Sequence, residues 1–122
     1  MKFSGICLIT KDVLRLTEFY KEILGVQAEG DAGHAELFTE GAGIAIFSEN
    51  GMENMAPQSM SGAGRGNITL MFEVEDVDAE YDRIKTLDVD FVMLPTTHPW
   101  GAQSFWFRDI DGNIIDFYAN VK

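Results

Sequence analysis

The sequence predicts an α+β fold in which a βαβββ module occurs twice and forms a curved, mostly antiparallel sheet around a cavity. Three repeated features support this prediction. The dipeptide Asp-Val ends a β-rich run twice, at Asp12 and Asp76. Apolar residues follow each dipeptide at helical spacing, and short strand-like runs with Gly-bearing turns follow each helix. Their common order indicates an internal duplication within a single domain, residues 1–122.

The first module is predicted at residues 1–49. A β-rich run starting at Ile6 reaches Asp12, whose carboxylate can cap the free amides of the following helix. The helix is predicted by an apolar stripe, and Gly25 suits its left-handed C-cap. That stripe comprises Val13, Leu16, Phe19, Tyr20, Ile23 and Leu24. Strands are then predicted at 26–29, 34–39 and 43–48.

The second module is predicted at residues 67–122. Asp76 again precedes a helical stripe, which starts at Val77 and runs to Leu87. Strands are predicted at 90–94, 104–108 and 113–119, and the Asp-Gly dipeptide at Asp111 indicates a hairpin turn. The segment between the modules, 50–66, is rich in Gly, Ser and Met and is predicted to be a mobile connector. Its methionines are expected either to form an adaptable apolar lid or to be plain loop residues.

Composition narrows the function classes. The 122 residues are 46% hydrophobic and carry a net charge of −11, which suits a globular domain and disfavours nucleic-acid or anionic-membrane partners. Cys7 is the only cysteine, so an internal disulfide is impossible. The apolar runs are too short to span a bilayer and the N-terminal residues lack a signal-peptide pattern, so we expect a cytoplasmic protein.

Strand alternation predicts which side chains line the cavity. Asp116 is expected either to orient a polar or cationic ligand or to bond backbone or water. Trp100, in a Pro-Gly turn, suits stacking on a ligand, whereas Trp106 is expected in the core or a dimer interface. His98 is expected at the surface or at the mouth of the cavity, and not as a metal ligand. Cys7 is expected to be a small, buried lining residue. The predicted ligand-binding residues are Cys7, Phe47, Thr69, Met71, Trp100, Asp116 and Tyr118.

Four motifs resemble the vicinal oxygen chelate superfamily. They are LITKDV at 8–13, FYKEILG at 19–25, PWG at 99–101 and RDIDGNIIDFY at 108–118. The superfamily includes glyoxalase I, extradiol dioxygenases and the bleomycin- and fosfomycin-resistance proteins. Its usual Asp-Pro-Asp-Gly-Asn motif has Ile110 in place of the proline here. The resemblance implies the duplicated fold, while the activity varies among members.

The resemblance also implies where a metal would bind. Enzymes of the superfamily hold a divalent metal on the first and last strands of each module, usually through His, Gln and Glu. The matching positions are Gly5, Ala45, Thr69 and Asp116, and Asp116 alone is a good ligand. A catalytic metal needs about three protein ligands. We therefore expect no metal and no cofactor.

Three functions follow from the resemblance. The first is a metal-free, homodimeric binding protein of the bleomycin-resistance type, which would sequester a small organic ligand and, by analogy, take part in antibiotic resistance. An acidic cavity would suit a cationic ligand. The second is a metal-dependent lyase or dioxygenase related to glyoxalase I. The third is a metal-free enzyme that uses Asp116 or Glu73 as a general base. The missing metal ligands favour the first, and no catalytic residue is assigned.

Overall fold

The computed structural model describes residues 1–121, which form eight strands and three helices. The chain divides into two compact units, Met1–Ala63 and the segment from Gly64 onwards. No helix within residues 1–121 is long and apolar enough to cross a membrane. The two units are described separately below.

Each unit repeats the same order of elements up to its last strand. The first unit contains β1 (Gly5–Thr10), α1 (Val13–Leu24), β2 (Ala28–Gly30), β3 (His34–Leu37), β4 (Gly43–Ser48) and α2 (Glu49–Met55). The second contains β5 (Thr69–Glu73), α3 (Val77–Ile84), β6 (Asp90–Thr97), β7 (Ala102–Arg108) and β8 (Ile114–Asn120).

Each unit forms its own four-stranded mixed sheet, and the two sheets have the same topology. The strand orders are β1-β4-β3-β2 and β5-β8-β7-β6. The first and last strands of each unit pair in parallel, and the other neighbours pair antiparallel. The α+β class and the duplicated βαβββ module are therefore confirmed, with one sheet in each unit.

The predicted capping residues start and end the helices as expected. Asp12 accepts a hydrogen bond from the backbone N–H of Arg15 at 3.1 Å, and Asp76 accepts one from Ala79 at 3.0 Å. Gly25 ends α1 in the left-handed region at φ 66°. Helix α3 ends at Ile84, short of the predicted Leu87, because the chain there tightens into turns with i→i+3 hydrogen bonds.

One face of each sheet packs under the helix of its own unit. In the first unit the buried hydrophobic residues of the strands are aliphatic: Leu8, Ala35, Leu37, Ile44 and Ile46. In the second they are largely aromatic: Leu70, Phe105, Phe107, Ile115 and Phe117. The residues between them on each strand point to the opposite face. We call this opposite face the far face of each sheet.

The connector is helical at its start, where it contains most of α2, an element that the sequence analysis did not predict. Ser48 caps α2 by accepting a hydrogen bond from the N–H of Gly51 at 2.9 Å. The Glu53 carboxylate then accepts hydrogen bonds from the N–H groups of Gln58 and Met60, at 2.7 and 3.0 Å. These bonds organise the turns that follow the helix.

The two N-caps should contribute similarly to stability. We expect Asp12→Ala and Asp76→Ala each to lower the free energy of unfolding by about 1 kcal/mol, because each leaves a helix amide unpaired. Chemical denaturation measures this. Lys11→Ala and Glu75→Ala alter exposed neighbours that cap no helix and serve as controls. A loss for one cap alone would contradict the equivalence of the two helix starts.

Candidate functional site

The far face of the second sheet holds a buried carboxylate. Asp116 lies on β8 between Ile115 and Phe117, which are 0% and 2% exposed in the core, so its own side chain points to the far face. Asp116 is only 8% exposed. Its Oδ1 atom has no hydrogen-bond partner within residues 1–121. Burial raises the pKa of the Asp116 carboxyl, because desolvation disfavours its charged form.

A buried hydrogen-bond donor lies beside this carboxylate. Trp106 is the cross-strand neighbour of Asp116 in the β7–β8 pair, and its flanking residues Phe105 and Phe107 are in the core. The indole N–H opposes the upward shift of the Asp116 pKa. It nevertheless lies outside hydrogen-bond geometry, so Nε1 is buried without a partner in the described chain. A donor and an acceptor thus stand side by side, each unpaired.

A tight turn between β6 and β7 places a histidine near the same face. His98 Nε2 lies 2.7 Å from the hydroxyl oxygen of Ser104, a residue that is 3% exposed. The His98 ring stacks on Trp100, with ring centroids 4.4 Å apart and planes 4° apart. Charge on His98 also opposes the upward shift of the Asp116 pKa. His98 is therefore half-buried and hydrogen-bonded to Ser104.

The pairing of neighbouring strands adds two more residues to the side chains around Asp116. Met71 is the β5 neighbour of Asp116 and is 66% exposed. One step along β8, Tyr118 is the neighbour of Ser104. We call this set the Asp116 cluster, which consists of Met71, His98, Ser104, Trp106, Asp116 and Tyr118.

The far face of the first sheet has a different chemistry. Cys7 is the cross-strand neighbour of Ala45, and both line a shallow groove of about 380 Å³. Cys7 is exposed, so its predicted burial is wrong. The groove wall still desolvates the thiol enough to raise its pKa. Phe47, on β4, is half-buried and meets His34 edge to face at 6.1 Å.

Comparison with known proteins identifies the family. The model of the glyoxalase/bleomycin resistance protein/dioxygenase superfamily matches residues 2–117. The chain belongs to this superfamily. It is 32% identical to YraH of Bacillus subtilis (strain 168), an uncharacterised protein, over 97% of this chain and 98% of YraH.

Solved structures share the superfamily fold. A protein of unknown function from Agrobacterium tumefaciens str. C58 is 28% identical, with a TM-score of 0.82 over 99% of this chain and 95% of that one. A glyoxalase/bleomycin resistance protein/dioxygenase family enzyme from Burkholderia phytofirmans PsJN has a TM-score of 0.87 at 16% identity, over 99% and 100% of the two chains. The second likeness concerns the fold alone.

The donor set does not fit the metal centre that the superfamily implies. A Cβ atom built on Gly5 would overlap the backbone carbonyl of Gly43, so no ligand side chain fits there without moving a strand. Ala45 has no donor, and Thr69 offers only a hydroxyl. Within residues 1–121 no group of three or more His, Cys, Asp or Glu side chains is placed to hold a metal ion. No chemical step at this site is therefore derived through a metal.

The structure brings together three of the seven predicted ligand-binding residues. Met71, Asp116 and Tyr118 belong to the Asp116 cluster, whereas Cys7 and Phe47 lie in the first unit. The other two are peripheral to the cluster: Thr69 is exposed where β5 begins, and Trp100 is 74% exposed and contacts the cluster through His98.

Sequence reasoning did not include three members of the cluster: His98, Ser104 and Trp106. Strand alternation on 102–108 was the available signal for Ser104 and Trp106. Phe105 and Phe107 point into the core, so the residues next to them on the strand point to the far face. Of the two expected locations of Trp106, the core is wrong, because the residue is half-buried on the far face, and the interface stays a prediction. No sequence pattern indicated that His98 bonds Ser104.

Gly5 and Gly43 should respond differently to a methyl group. We expect Gly5→Ala to lower the free energy of unfolding by about 1–3 kcal/mol, because the new Cβ meets the backbone of β4. In Gly43→Ala the Cβ comes no closer than 3.5 Å, to the Ser4 carbonyl oxygen, so a change within about 0.5 kcal/mol is expected. Urea denaturation distinguishes them. Equal losses would contradict the close approach of β1 and β4.

The Asp116 carboxyl should make stability fall as pH rises. Its pKa is raised in the folded protein, so the folded state binds the proton more tightly than the unfolded state does. The free energy of unfolding therefore decreases as pH increases from about 4, the ordinary value for Asp, through the raised pKa. We expect Asp116→Asn to be more stable than the natural protein at pH 7, with the advantage lost below about pH 4.

Denaturation curves at several pH values measure this difference. Asp88→Asn makes the same change in net charge at an exposed position and is the control. A pH-independent difference between Asp116→Asn and the natural protein would refute the assignment.

Proposed function

We propose that this chain binds a small organic molecule at the Asp116 cluster and does so without a catalytic metal. The observation that supports this proposal most directly is the unpaired Oδ1 atom of Asp116 beside the unpaired N–H of Trp106. A buried polar atom without a partner costs about 1–3 kcal/mol. A ligand that supplies the missing partners recovers this free energy, so the cluster is suited to recognising a polar group.

The surroundings of the cluster suit an organic ligand with an apolar body. Trp100 is 74% exposed and has one ring face against His98, so its other face is available for stacking, worth about 1 kcal/mol. The ligand's polar group donates a hydrogen bond to Asp116. The net charge of −11 attracts cations at long range, which admits a cationic as well as a neutral donor.

The family relation extends the proposal to the biological setting. By analogy with bleomycin-resistance proteins, we propose that the chain sequesters a drug-like compound, forms a homodimer and acts in the cytoplasm. The absence of metal-ligand side chains at Gly5 and Ala45 is the feature that favours sequestration over the lyase or dioxygenase chemistry of the family's metalloenzymes.

A second candidate function is metal-free proton transfer. The raised pKa of Asp116 makes its carboxylate a stronger base than an ordinary aspartate. The neighbouring N–H of Trp106 could stabilise negative charge that develops on a substrate oxygen. In this role Asp116 would take a proton from carbon beside a carbonyl group and return it.

Binding should depend on the Asp116 carboxylate. In a thermal-shift screen of amines, amides and small oxo-compounds, a ligand at 100 times its dissociation constant should add about 2.7 kcal/mol to the free energy of unfolding. We expect Asp116→Leu to weaken such a ligand about ten-fold or more, because a hydrogen bond to a charged group is lost. Asp88→Asn, at an exposed position, should leave the affinity unchanged.

Two further outcomes distinguish the candidates. Stoichiometric zinc, nickel or iron in the purified protein would contradict the metal-free proposal. Turnover of an oxo-compound that is lost in Asp116→Leu, without a stabilising ligand, would favour metal-free proton transfer instead. The first measurement is elemental analysis, and the second is exchange of carbon-bound hydrogen in D₂O followed by NMR.

A further inference from the structure

We infer that the group recognised by the Asp116 cluster is the uncharged edge of an amide or lactam, with one N–H donor and one carbonyl acceptor side by side, rather than an ammonium or guanidinium cation. This inference rests on the proposed binding function and narrows its ligand class. It depends on the pairing of two buried atoms and on the side chains that flank them.

The two unpaired atoms have opposite hydrogen-bonding roles. Trp106 Nε1–H can only donate, and an ionised Asp116 carboxylate can only accept. They belong to cross-strand neighbours on one face, so a single small group can reach both. An ammonium or guanidinium carries donors but no acceptor. It would pair with Asp116 and leave the Trp106 N–H buried without a partner, whereas an amide edge satisfies both atoms.

The electrostatic surroundings also favour a neutral group. Asp116 is 8% exposed, so a ligand group that pairs with it has to leave water. The other ionisable groups facing this position are His98, Tyr118 on β8, and Glu73 and Arg108 on the neighbouring strands. A cationic ligand would have to be desolvated as a full charge, while a neutral amide avoids that cost.

Methionines flank the polar pair along the sheet. Met71 is the neighbour of Asp116 on β5, and Met93 is the neighbour of Trp106 on β6. Their unbranched thioether side chains adapt to ligands of different shape. Met71 is 66% exposed, so its side chain can move and let a ligand reach the buried polar atoms of Asp116 and Trp106. A flat ring between two thioethers, with its polar edge toward Asp116 and Trp106, matches this arrangement.

Three probes of similar size test the inference. They are 2-quinolinone, which has the lactam edge, N-methyl-2-quinolinone, which lacks the donor, and 2-naphthylmethylammonium, which has a cationic donor and no acceptor. The chain has two tryptophans, so its ¹⁵N-labelled form gives two indole N–H resonances. Trp106→Phe and Trp100→Phe assign them. Titration of each probe, followed through these resonances, gives its dissociation constant.

We expect 2-quinolinone to shift the Trp106 resonance and to bind at least about five-fold more tightly than either other probe, the effect of one hydrogen bond. Trp106→Phe should weaken both quinolinones about five-fold, because both keep the carbonyl that accepts from the indole N–H, whereas Asp116→Leu should weaken 2-quinolinone more than N-methyl-2-quinolinone, which has no N–H to donate. Trp100→Phe keeps an aromatic ring and should preserve the ratio between the two quinolinones. Should Trp106→Phe fail to fold, the comparison of the three probes on the natural protein still decides the question.

The contrary outcomes separate the two proposals. Tighter binding of the ammonium probe, with a shift that Asp116→Leu abolishes, would overturn the amide-edge inference and leave the proposed binding function intact. No shift of the Trp106 resonance and no stabilisation by any of the three probes at millimolar concentration would overturn both.

Discussion

The burial of one sheet face under a helix determines where the candidate functional side chains on the strands of this protein point. Leu8, Ile44 and Ile46 in the first unit, and Ile115 and Phe117 in the second, are almost wholly buried. Because strand side chains alternate, this burial commits the residues between them to the far face. A shift of one residue in the pairing of β5 with β8 would turn Asp116 into the aromatic core.

The two units use this constraint differently. In the second unit Phe105, Phe107 and Phe117 pack with centroid distances of 5.4 to 5.8 Å, so the strands that carry Trp106 and Asp116 rest on a dense core. In the first unit the far face has Gly5, Cys7 and Ala45 around a shallow groove. The duplicated framework therefore presents a buried carboxylate and an indole N–H in one unit and small side chains in the other.

Much of the fold could be predicted from the sequence, because it depends on local signals. The Asp12 and Asp76 caps and the left-handed Gly25 are local, and their hydrogen bonds occur as predicted. Strand alternation also placed Asp116 and Met71 on one face. Helix α2 was missed because most of it lies within the connector 50–66, whose composition of Gly, Ser and Met is typical of loops. The bond between His98 and Ser104 depends on how a turn folds back, which residue periodicity does not encode.

The tight approach of Gly5 to the backbone of Gly43 has a consequence for engineering a metal site into this chain. A histidine at residue 5 would need room that β4 occupies, so that single substitution cannot supply a ligand. Introducing one requires coordinated changes in both strands, whereas Ala45 can be replaced without this particular obstacle.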